Sequence, residues 1–409
     1  MKKLSKYSVM AIALALVFFS CNKEEFELNS EIAQVGSLDG PVNDTSIQID
    51  PENGESVTFS WTPAQAADGG LVLYTVLFNV EGGTFDEPIY SISSDNKGGG
   101  TTLTLSQVFL NIIAAKAGIE QLITGKVKWT VKASSGYQSK VFDQSLGLTL
   151  TRPEGLAIFP EYMYIHGSAT EGEELSNAVA FKEIVNEMPT DNFNPGVFES
   201  ITRLSPGDFY IVDSNNPDST VNNYYLNSEG KIRSGEQATS FTGEEGVYRI
   251  RMNLSAATIT YEKITDLELY IFASQVTKAE LAYVGNHTFE STNGYFDFLN
   301  PGDPEAPDWL GWEEERYRFK FMVDDTQSYL GSFHNEAMNA SLVDGQNAYN
   351  VRPTGEEPAS YYNTYFLGAE AGYWQGAWKF ADEYNEAPFT VRVIFDPKAG
   401  HYYHEFELN

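Results

Sequence analysis

Cysteine is almost absent from this 409-residue chain: Cys21 stands alone, so neither a disulfide framework nor a thiolate zinc cluster can form within one molecule. Basic charge is scarce too, with 26 Lys and Arg against 57 Asp and Glu and a formal net charge of −31. Such a surface repels nucleic-acid phosphates and anionic headgroups and offers neither a basic stripe. A neutral or cationic partner suits it better, and solubility accounts for much of the excess. After the first twenty residues no apolar run approaches the roughly 20 residues of a membrane-spanning helix. A phosphate loop, a G-x-S-x-G elbow and a helical H-E-x-x-H are also missing, so no cofactor and no catalytic residue is expected.

What is present begins at the N-terminus. Lys2, Lys3 and Lys6 precede the uncharged run Tyr7 to Phe19, and small Ser20 stands before Cys21, the order of a signal peptide over residues 1–20. Its removal takes away three lysines and leaves a formal charge of −34. Phe18-Phe19-Ser20-Cys21 resembles a bacterial lipobox, with Phe where small aliphatic residues are usual. Lys23, Glu24 and Glu25 then resemble the charged export signal that follows the lipidated cysteine in lipoproteins of the Bacteroidota. The resemblance implies a lipid on Cys21, each buried CH₂ adding ~0.8 kcal/mol of anchoring, and delivery to the outer face of the outer membrane. Residues 21–40 are polar, acidic and without period, as a flexible tether would be.

From residue 41 onward, short alternating segments are separated by Gly, Asn, Asp and Pro clusters, which predicts an all-β chain of tandem β-sandwich modules. Length argues for three domains, 41–153, 154–264 and 265–409. In the first, Val57, Phe59 and Trp61 form one apolar face and Val127, Trp129 and Val131 another, so both tryptophans are expected in the core. Between them Ser106 is placed to cap a helix with Phe109, Ile112 and Ile113 on one side and Gly118 at its end. The second and third modules read as distant repeats. Tyr164 to Ser168 parallels Tyr270 to Ser274, Phe209 to Val212 can be set against Phe319 to Met322, and Tyr248 to Leu254 parallels Phe389 to Phe395.

Val57-Thr58-Phe59-Ser60-Trp61 with Thr62-Pro63-Ala64, Val127 to Ala133, and the two Tyr-Ile-x-Gly/Ala-Ser starts carry a resemblance to the SusE/SusF group of surface starch-binding lipoproteins. The resemblance implies an N-terminal immunoglobulin-like domain followed by two carbohydrate-binding-module-like sandwiches, without catalytic activity. It further implies retention of a polysaccharide or oligosaccharide, a starch-like α-glucan above all, beside a TonB-dependent importer and its partner glycan-binding lipoprotein. The middle module departs from the pattern, since it has no tryptophan and lacks the Gly-Trp pair often found after the first strand.

A pyranose offers apolar C–H faces and a hydroxyl rim, so its binders combine aromatic platforms with fixed polar groups. Trp374 and Trp378 are the first candidate platforms, followed by Trp309 and Trp312, all in Gly- or Pro-broken stretches that read as loops. Gln375, Lys379 and Asp308 are the candidate hydroxyl partners, and Tyr224, Tyr225 and Arg233 a weaker set in the middle module. The competing reading buries the tryptophans as core residues. Glu313-Glu314-Glu315 reads as a solvated acidic face, because no spacing rule supplies the second carboxyl a glycosidase needs. His401 and His404 would diverge on a strand, so no metal site is expected. The alternative to glycan binding is a structural or assembly lipoprotein that binds envelope proteins of the uptake complex.

Overall fold

The computed structural model describes residues 31–185, 195–332, 352–369 and 376–409; Cys21, Lys23, Glu24 and Glu25 lie outside them. The chain is nearly all β, with antiparallel sheets throughout, as the alternation predicts. It divides into two compact units, one drawn from residues up to 46, 57–104 and 126–149, the other from 47–56, 105–125 and 150–409.

In the first unit the strand Leu73–Val80 pairs along its whole length with Thr124–Ser135, from Leu73 opposite Ser134 to Val80 opposite Val127. Phe59, from the strand Val57–Trp61, meets Phe78 edge-on at 5.3 Å and Trp129 at 5.0 Å. Trp61 packs against Tyr74 at 5.6 Å. Both tryptophans are buried, as their place in the apolar alternation requires.

The helix Gln107–Lys116 belongs to the second unit. Gly118, at φ 77°, ends it, its amide donating to the Ala115 carbonyl and that of Ile119 to Ala114. Ser106 makes no side-chain cap, and the buried face is Val108, Leu110, Asn111, Ile113 and Ala114. Phe109 and Ile112 are only half-buried. Asn111 sets that face, because its amide donates to the Leu156 carbonyl at 2.9 Å while its oxygen accepts from Arg152 Nε at 2.9 Å.

The rest of the second unit is two sandwiches that share a sheet. The strand Thr258–Ile271 pairs with Gly246–Asn253 over its first half and with Thr277–Gly285 and Arg316–Val323 over its second. It therefore runs through the boundary read between 264 and 265, bending at Asp266 (φ 54°). Asp tolerates that left-handed conformation better than most residues. Glu199, 1% exposed, ties the sandwiches together: it accepts from Arg249 Nε at 2.6 Å and Tyr402 Oη at 3.0 Å and pairs with Arg251. Burial first, and then the Glu199 charge, hold the Tyr402 phenol well above its usual range.

The repeat is visible in the register. Tyr164 lies opposite Val212 and Ile165 opposite Ile211, just as Tyr270 lies opposite Arg318 and Ile271 opposite Tyr317. An offset of 106 residues relates both partners of each pair. It corrects the alignment read from sequence: Tyr210 corresponds to Arg316, not to Lys320. Gly246–Asn253 and Ala387–Ile394 also occupy like positions, each paired antiparallel with an earlier strand, Val197–Leu204 or Thr288–Phe296.

Candidate functional site

The loop from Asp297 to Glu315 is folded by its own backbone. Leu299 and Glu314 pinch it together by exchanging both amide–carbonyl bonds, at 2.9 and 2.8 Å. Asp303 Oδ2 accepts from the Asn300 amide at 2.6 Å, and Leu310 is buried in the core of the C-terminal sandwich. With Leu310 turned inward, its neighbours turn outward. Trp309 is 52% exposed and Trp312 49%, their rings 6.0 Å apart and inclined at 47°.

Trp312 is held in place. Its indole Nε1 donates to Glu314 Oε2 at 2.9 Å, and Glu314 is fully buried. Arg316 Nη1 donates to both Glu314 oxygens, at 2.8 and 2.9 Å, and its backbone amide to Oε1 at 3.0 Å. Trp312, Glu314 and Arg316 alternate along an extended segment, which puts all three on one side. That spacing was legible in the sequence, and Glu314 is a residue of the candidate site that sequence reasoning missed. A platform fixed before binding avoids the roughly 0.5–1.5 kcal/mol lost when such a side chain is ordered on contact.

The acidic run is not a solvated face. Glu313 is exposed, but Glu314 and Glu315 are buried. Glu315 pairs with Lys379 at 2.8 Å and Arg352 at 3.0 Å. Burial raises its pKa, yet the hydrogen bonds and charges of Lys379 and Arg352 outweigh this and hold the carboxyl below the usual range. Arg352 also reaches Glu313 and Asp382 on the surface. Lys379 is thus committed to Glu315, whereas Asp308 is exposed beside Trp309.

Trp378 has no exposed surface and is a core residue. It pairs with Tyr317 in the sheet, stacks on the Tyr317 ring at 5.6 Å and 20°, and donates its indole N–H to the Tyr361 carbonyl at 2.9 Å. Trp374 and Gln375 lie outside the described residues. His404 is buried against Trp378, its ring 4.4 Å away, with Nε2 2.8 Å from Tyr317 Oη and Nδ1 3.1 Å from Thr364 Oγ1. His401 is exposed and precedes the strand Tyr403–Leu408, whereas His404 lies on it. Among the described residues no cluster of three or more His, Cys, Asp or Glu is arranged to hold a metal ion.

In the middle sandwich Tyr224 turns inward and is buried, while Tyr225 lies on the outer face opposite Arg233. Arg233 is fixed by Glu154 at 2.5 Å. Sequence reasoning missed His166 and Tyr210 on the same face, whose rings stack at 5.3 Å and 21°.

Comparison with known families finds a match to a family described as SusE outer membrane protein, over residues 17–132. It bears out the resemblance to SusE-type proteins and supports a place at the outer membrane. Among the described residues no helix is long and apolar enough to cross a membrane. Neither the curated proteins nor the solved structures yield a match.

Proposed function

We propose that this SusE-type outer-membrane chain is a non-catalytic cell-surface lipoprotein that holds a neutral polysaccharide or oligosaccharide for an uptake system. The observation that carries the proposal is the Trp309–Trp312 pair, two half-exposed indoles beside one another with one of them locked by a buried carboxylate. Soluble proteins seldom leave such area exposed without a partner for it. The ring faces would stack on pyranose C–H faces, and Asp308 with the rim of Arg352 and Glu313 would meet hydroxyls. Rings inclined at 47° suit successive sugars that turn relative to one another, which supports a starch-like α-glucan over a flat ribbon.

The anchor belongs to the same proposal: signal peptide 1–20, lipid on Cys21, and export directed by Lys23, Glu24 and Glu25. A TonB-dependent importer and its partner lipoprotein would receive the captured glycan. Native affinity electrophoresis of the full chain in detergent, through gels containing amylopectin, galactomannan or mixed-linkage β-glucan, tests the proposal. Retardation by at least one polymer, weakened in Trp309→Ala/Trp312→Ala, is expected; free migration in all of them refutes it.

An assembly lipoprotein without glycan affinity is the second reading, and the burial of Trp378 favours it by leaving fewer platforms. Recovery of an importer complex that persists without sugar, from a chain that no polymer retards, would select it.

A further inference from the structure

The chain enters the first unit at a fixed point. The Ala67 amide donates to the Glu31 carbonyl at 2.9 Å, the Ala33 amide donates to the Gln65 carbonyl at 3.0 Å, and Ile32 lies opposite Ala66. Glu31 is ten residues on from Cys21. However those ten residues run, they reach at most about 35 Å. A lipid on Cys21 therefore keeps this entry point close to the bilayer.

The end of the unit at which the chain enters is also where it shows apolar surface. Leu71, four residues beyond Ala67, is 73% exposed, and Leu73 is 43% exposed. Leu73 lies opposite Ser134 and Ser135 opposite Gln138, so the hairpin tip Gly136-Tyr137 projects from the same end of the sheet. Tyr137 is fully exposed. Its two-residue turn needs Gly136, at φ 55°, but no aromatic after it. Among the described residues of this unit Val42 is the other exposed large apolar side chain. It lies at the far end, two residues before Asp44, which pairs with Lys126 near the start of Thr124–Ser135. One exposed apolar side chain is ordinary, whereas three gathered at one end form a patch that calls for a partner.

The local charge suits a membrane better than the whole chain does. A formal charge of −31 repels anionic headgroups. Around the patch, Lys97, Lys132 and Lys140 offset Glu31, Asp68 and Asp95. Lys97 precedes Gly98, whose carbonyl accepts from the Tyr74 amide at 2.7 Å, and Lys132 and Lys140 stand on the two strands of the hairpin. Asp95 is turned to its own loop, where it accepts from Thr102 Oγ1 at 2.8 Å and from the Thr104 amide at 3.1 Å. Lysine stems lie along apolar surface with the ammonium in water, and a tyrosine at a membrane boundary keeps its ring in the apolar layer and its hydroxyl wet.

We propose that this end of the first unit, Leu71, Leu73 and Tyr137 flanked by Lys97 and Lys140, rests in the headgroup layer of the bilayer that holds Cys21. The contact depends on the lipid proposed for Cys21. Acyl chains on a tether hold the unit near the membrane without orienting it. Apolar side chains at the entry point add buried area to that anchor and fix which end faces the lipid.

The test uses the full lipidated chain, its mass checked for acyl chains, in vesicles of phosphatidylethanolamine and phosphatidylglycerol that carry nitroxide-labelled acyl chains. Cys21 is the sole cysteine and its sulfur would be acylated, so Tyr137→Cys, Leu71→Cys and, for comparison, Val42→Cys each offer a single thiol to an NBD fluorophore. Labels at positions 137 and 71 should shift to the blue and lose intensity to the nitroxide, and the label at 42 should do neither. The Tm should match wild type in all three; if one of the first two variants fails to fold, the other decides. Labels at 137 and 71 as accessible as that at 42, or quenched no more than it, overturn the contact and leave the anchor standing. A blue shift at 137 without quenching overturns it in favour of a second copy of the chain. A mass without acyl chains removes the anchor and this contact together.

Discussion

Trp309 and Trp378 are the same residue type in stretches of similar composition, yet one is half exposed and the other has no exposed surface. Trp378 sits opposite Tyr317 in a sheet and so points into the sandwich, whereas Trp309 flanks a loop residue, Leu310, that turns inward in its place. Trp378→Ala should therefore cost about 3–5 kcal/mol in denaturant unfolding. Trp309→Ala should cost under about 1 kcal/mol and act on binding instead. The sequence made both readings available but did not choose between them, because pairing with Tyr317 is a long-range fact. Glu314 and Glu315 were misread for the same reason, since the cations that make their burial tolerable come from Arg316, Arg352 and Lys379 through folding.

His404 gives a pH prediction at this scale. Burial lowers its pKa from 6.5 to about 3, so the folded chain stays neutral there while the unfolded chain takes up a proton as pH falls through about 6.5. Its contribution is complete above that pH and is lost progressively down to about pH 3. The Tm should fall between pH 7 and pH 4.5, and fall less in His404→Gln. An equal fall in both would remove His404 as the cause.

At the scale of elements, period-two alternation made the strands legible, and the recurrence of three segments in one order made the duplication legible. What it did not reveal is the continuity of Thr258–Ile271 through Asp266, because a turn-forming residue at positive φ inside a strand reads as a boundary. The helix was located by Gly118, but its buried side was misassigned, since Asn111 is buried through bonds to Leu156 and Arg152 that no local period encodes. The shared strand and Glu199 predict that the two sandwiches unfold as one cooperative body. Glu199→Ala, which removes the buried carboxylate shared by Arg249, Arg251 and the Tyr402 phenol, should destabilise by about 3–5 kcal/mol. Hydrogen exchange should show amides of Gly246–Asn253 and Ala387–Ile394 losing protection together in that variant. Loss confined to Gly246–Asn253 would make the sandwiches independent.

For the whole molecule, charge and location were the most legible features and the ligand the least. The family match spans 17–132, which includes Trp61 and Trp129 but neither Trp309 nor Trp312. The candidate site therefore stands on geometry rather than on family likeness. A formal charge of −31 predicts that an acidic polymer such as polygalacturonate is not bound at low salt, where repulsion is least screened. Retardation in a pectate gel would contradict that. The most direct measurement of the central claim is isothermal calorimetry of the full chain in detergent with maltoheptaose and with mannan and β-glucan oligosaccharides, for wild type and Trp309→Ala/Trp312→Ala. Binding of at least one oligosaccharide by wild type, weakened at least tenfold in the variant at an unchanged Tm, is the expected result. Equal affinity in both proteins, or no heat with any sugar, would contradict a glycan platform at Trp309 and Trp312.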